Sequence, residues 1–170
     1  MNKYKFGQLI ASVLFLTLLF GCSIKAESKA FDGALTAAEA ALTNEKIKPN
    51  NDLQNLSLYI PSHISISEET NSNLILKNED QTIILFYNPL EFATSKLNYE
   101  EASSDEDYLM LESFESKEKF GYIKISSGKK HTYELQIGAG SVKVTTLTTK
   151  SKLEEDAATM MKIANSIEYK

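Results

Sequence analysis

The chain has no arginine and no tryptophan, one cysteine, two histidines and three prolines in 170 residues. Each scarcity closes a route. All eighteen basic residues are lysine, whereas planar, bidentate recognition of phosphate and carboxylate is usually arginine's work. With a formal net charge of −5 and no basic patch, the sequence gives no footing for nucleic-acid binding. Cys22 has no partner for an intramolecular disulfide, and with only His63 and His131 beside it in the ligand inventory a structural zinc site is not expected. No metal, no cofactor and no catalytic residue can be assigned.

What is present begins with the first twenty-two residues. Lys3 and Lys5 precede an uncharged run from Phe6 through Phe20, closed by Gly21-Cys22. A short basic segment, an apolar region of about a dozen residues and a small residue at the end make a secretory signal rather than part of a folded core. Leu19-Phe20-Gly21-Cys22 resembles the lipobox of bacterial lipoproteins, although that pattern prefers a small or β-branched residue where Phe20 stands. The resemblance implies cleavage after Gly21 and a diacylglyceryl group on Cys22, and two acyl chains make a stable anchor where one does not. Two other readings compete: an uncleaved transmembrane anchor, since Phe6 to Ile24 approaches the ~20 residues that span a bilayer, and an ordinary signal with a stray cysteine. All three place the remainder outside the cytoplasm.

The expected organisation is a signal peptide over 1–21, a tether over 22–28 and one domain over 29–170. Without residues 1–21 the chain has 16 lysines against 23 acids, a formal charge of −7. Phe31, Leu35, Ala38 and Leu42 recur at helical spacing in an alanine-rich run and predict an amphipathic helix packed on the domain. Pro49 and the polar residues after it end that pattern.

Alternation then replaces the helical period. Leu56, Leu58 and Ile60, then Ile64 and Ile66, then Leu74 and Leu76 read as short strands. Ile83 to Tyr87 is apolar at every position, so it is expected to be the central strand, covered on both faces. Leu90 to Leu97 suggests a short helical turn, and the acidic stretch 100–107 reads as a mobile loop. Four more strand patterns, Tyr108–Phe114, Phe120–Ile125, Thr132–Ile137 and Ser141–Thr145, have turns at Ser127-Gly128-Lys129 and Gly138-Ala139-Gly140. The last element is a helix, with a capping box at Ser151–Glu154 and a stripe of Leu153, Ala157, Met160, Ala164 and Ile167.

These elements predict an α+β fold: a mainly antiparallel sheet of about six to eight strands, with an N-terminal and a C-terminal helix packed on it. A strand ending at Ile60-Pro61, a continuous β-meander and a terminal helix closing on Asn165-Ser166-Ile167 are together similar to PsbP-like domains and to small lipoproteins of Gram-positive bacteria. The similarity covers roughly residues 50–168 and implies fold alone, because it brings no catalytic set.

Each site candidate has a plainer reading. The acidic stretch 100–107 lacks the alternating ligands and turn glycine of an EF-hand loop. His63 and His131 stand without a neighbouring nucleophile motif, and Gly138-Ala139-Gly140 joins strand to strand rather than strand to helix. Met160 and Met161 fit core packing better than an adaptable groove. Cys22, as the lipidation site, is the one functional residue assigned. The expectation is a membrane-anchored, non-enzymatic binding or accessory domain at the outer face of the cell membrane. Its partners would be the bilayer, through the diacylglyceryl anchor, and an unknown protein or envelope polymer. The alternative is an envelope hydrolase using carboxylates that the fold brings together.

Overall fold

The computed structural model describes residues 27–44 and 46–170. The signal segment, Cys22 and most of the tether lie outside the described residues. Glu27 and Ser28, placed by sequence in the tether, are helical: helix α1 covers residues 27–43. Its small residues Ala34, Ala38 and Ala41 are buried together with Leu42, while Phe31 and Leu35 are half-buried. The buried stripe is thus rotated toward the alanines. Gly33 shows how close the neighbouring helix comes, because a Cβ there would stand 3.0 Å from Glu154 Oε2.

The chain then forms a small and a large antiparallel sheet. The small one has the order β1 (Asn51–Asp52), β2 (Leu56–Leu58), β10 (Glu168–Tyr169). The large one is built from β3 (Ser65–Glu69), β4 (Asn73–Asn78), β5 (Gln81–Tyr87), β6 (Met110–Glu115), β7 (Phe120–Ser127), β8 (Thr132–Ala139) and β9 (Val142–Thr149), in the order β3-β4-β5-β9-β8-β7-β6. Two meanders, β3–β5 and β6–β9, are therefore joined where β5 pairs with β9. This makes β9, not β5, the middle strand. Nor is β5 covered on both faces: Ile83, Leu85 and Tyr87 are buried, but Ile84 is 46% exposed. An apolar run records hydrophobicity and not which neighbours arrive to cover it.

Helix α3 (Leu153–Asn165) lies over β8 and β9. Leu153, Ala157, Met160, Met161, Ile163 and Ala164 are buried, and Lys162 is exposed. The expected capping box does not form. Lys152 stands at the N-cap without a side-chain hydrogen bond, because a 3₁₀ turn (Lys150–Lys152) leads directly into the helix. Asp156 is instead tied to the sheet, accepting hydrogen bonds from Gln81 Nε2 at 2.9 Å and from the Thr148 hydroxyl. Helices α1 and α3 run side by side in the same direction, with Gly33 beside Glu154 at one end and Asn165 Nδ2 donating to the carbonyls of Ala41 and Leu42 at the other. The small sheet completes this layer: Leu56 and Leu58 share one core with Leu74, Leu76, Leu135, Ile137 and the helices.

The opposite face of the large sheet is crossed by residues 88–109, which contain helix α2 (Leu97–Ser104). Residues 100–104 of the acidic stretch expected as a loop are therefore helical. Beneath α2, Tyr99 packs edge-on against Phe120 and Tyr122 with centroids at 5.5 and 5.8 Å, and Ala102 is buried. Tyr122 lies flat over Gly138, where a Cβ would come within 1.9 Å of the ring, so the absence of a side chain there makes room for the aromatic. Lys124, 6% exposed, donates to Ala102 O at 2.8 Å and to Asp105 Oδ2 at 3.0 Å. Asn98 Nδ2 reaches Gly140 O, and Lys143 reaches Glu101 at 2.6 Å. The crossing segment covers β6–β8, while Ile84 and Leu147 on the β5–β9 half stay exposed.

Candidate functional site

The large sheet ends in two free edges of different construction. At β3 the register slips between Ile66 and Glu68, as in edges that are blunted against further pairing, while exposed glutamates are common to both edges, Glu68 and Glu69 in β3 and Glu112 and Glu115 in β6. At the other edge β6 pairs with β7 residue for residue from Met110 to Glu115, with no slip and no proline. Beside it runs α1, and the seam between the two opens into a cleft at each end.

The cleft at the start of α1 has a volume of about 390 Å³ and is lined by Glu27, Phe31, Asp32, Leu109, Met110 and Glu112. Every charged side chain in that lining is a carboxylate. Phe31 packs edge-on against Tyr133 at 5.5 Å, and the Tyr133 hydroxyl donates to Glu27 Oε1. That bond to a carboxylate favours the protonated phenol and pushes Tyr133 up to about 12. Among the described residues, Glu27, Asp32 and Glu112 are in no salt bridge.

At the far end of the seam, the cleft is larger, about 750 Å³, and is lined by residues that include Lys46, Lys117, Lys119, Glu115, Glu118 and Asn165. Here α1 and α3 both end. Lys119 Nζ donates to Asn165 O at 2.7 Å, and Lys46 pairs with Glu168 at 2.9 Å. Burial, followed by repulsion from Lys46, lowers Lys119 to about 8. A cation at two converging helix C-termini neutralises the negative ends of their dipoles, which explains these lysines without a ligand. Lys117, in the β6–β7 turn, is exposed and in no ion pair among the described residues.

The other candidates read from sequence do not converge on this seam. Cys22 lies outside the described residues. His63 is exposed after Pro61, far from His131 in the fold order, and His131 sits with Lys130 at φ 63° and 53°. The Thr132 N–H donates back to Lys129 O across them, so the β7–β8 turn is Lys129–Thr132, shifted from the Ser127-Gly128-Lys129 expected. His131 therefore serves that turn. Gly138 and Ala139 belong to β8, leaving Gly140 at φ 55° and Ser141 to make the β8–β9 turn. Met160 and Met161 are core residues. The acidic stretch splits, with Asp105 held below its usual carboxylate range by the Lys124 hydrogen bond, then by the Asp107 N–H. The described residues contain no group of three or more His, Cys, Asp or Glu side chains arranged to hold a metal ion. Sequence reasoning missed the seam itself, because which strands stand at the edges follows from strand order.

No protein-family model, curated protein or solved structure matches the chain. Among the described residues, no helix is long and apolar enough to cross a membrane.

Proposed function

We propose that this is a lipid-anchored lipoprotein of the outer face of the cell membrane, a non-enzymatic binding or accessory domain that makes its contacts along the β6–α1 seam. The observation that carries the binding half of this reading is the regular register of the β6 edge, flanked by one cleft whose charged side chains are all carboxylates and one that mixes lysines with Glu115 and Glu118, set against a β3 edge that is interrupted. An exposed strand in regular register offers a row of backbone donors and acceptors to another chain, and flanking charges select which chain and in which direction. The anchoring half rests on the lipobox resemblance at Cys22. Only four residues separate Cys22 from Glu27, the first described residue of α1, a reach of at most ~18 Å, so the seam would be held close to the bilayer.

Anchoring is tested with Cys22→Ser in the full chain, which is expected to lose metabolic acyl labelling and to persist as uncleaved precursor; undiminished labelling would remove the lipobox. Contact is tested with a photo-crosslinking residue at Ser113 of β6 or Ser67 of β3 in living cells, followed by mass spectrometry. Adducts from Ser113 and none from Ser67 are expected, and equal yields would remove the seam. A second reading, an envelope hydrolase, draws on the three carboxylates against an apolar wall at the start of α1. It requires that the purified protein release soluble fragments from isolated envelope and that Glu112→Gln abolish the release.

A further inference from the structure

We draw no further inference here: the strongest candidate, the cavity of about 290 Å³ between residues 91–93 and the end of α3, has its lysines Lys46 and Lys119 already engaged by Glu168 and the Asn165 carbonyl and Glu91 in the same lining, so nothing in the structure shows what would fill it.

Discussion

The two faces of the large sheet are held in different ways. On the helix side, Leu74, Leu76, Leu85, Val144, Leu135, Ile137 and Ile123 form one buried layer under α1, α3 and the small sheet. On the other side, β6–β8 are covered by residues 88–109, and the cover is fastened at discrete points: Lys124 to Asp105 and Ala102, Lys143 to Glu101, Asn98 to Gly140, and Tyr99 on two aromatic rings. The first face is stabilised by area, which is insensitive to any one polar group. The second depends on a few directional contacts, and a single substitution can release it. Local opening should therefore be confined to the second face, while global stability resides in the first.

The largest expected effect is on the helix side. Met160→Ala, at a position 1% exposed, should lower unfolding free energy by about 2 to 5 kcal/mol in denaturant melts, and exposed Lys162→Ala by no more than about 0.5 kcal/mol. Equal, small losses would mean that α3 does not belong to the core layer. Lys124→Met comes next. It keeps the buried stem but leaves Ala102 O without its donor, so a loss of about 1 to 3 kcal/mol is expected. Amide exchange should accelerate over residues 97–109 and remain slow in β8 and β9, and acceleration throughout would show the two faces to be one cooperative unit.

A smaller effect depends on pH. Asp105 is held below its ordinary value of 3.8 by Lys124, so the contact is complete above that value and is lost as the pH falls through the lower, folded-state value. Exchange in residues 97–109 should therefore rise below about pH 3.8, and Asp105→Asn should show the faster rate already at neutral pH with the acid step gone. The smallest effect is expected at Ile84→Thr on the uncovered half of that face, within about 0.5 kcal/mol by thermal melt. A loss comparable to that of Met160→Ala would reveal burial by something beyond residues 27–170.

This contrast also explains what could be read in advance. Both long helices and the hairpins announce themselves by period, because Ala34, Ala38 and Leu42 in α1, or Leu135 and Ile137 in β8, each face a continuous apolar layer. Helix α2 does not. Its footprint is Tyr99 and Ala102, and its fastening comes from Lys124, an alternating lysine that in sequence reads as solvent-facing. Strand β10 was illegible for another reason: two residues carry no period, and Glu168–Tyr169 is a strand because β2 is there to receive it. The seam required the strand order, which sequence supplies least.

The junction of the two meanders has a consequence for how the protein is made. Within each meander neighbouring strands are joined by short turns and can pair early, but β5 must wait for β9, whose partner residues Ile84 and Thr145 are separated by the whole second meander. Closing so long a loop precedes any gain from the pairing, and non-local pairing of this kind slows folding. A chain emerging N-terminus first would thus hold β3–β5 with an open inner edge, Ile83–Tyr87, until the last third of the chain arrives. The slow step in refolding should be the joining of the meanders, and the hydrophobic edge of β5 is the place where a delayed chain is most exposed to aggregation.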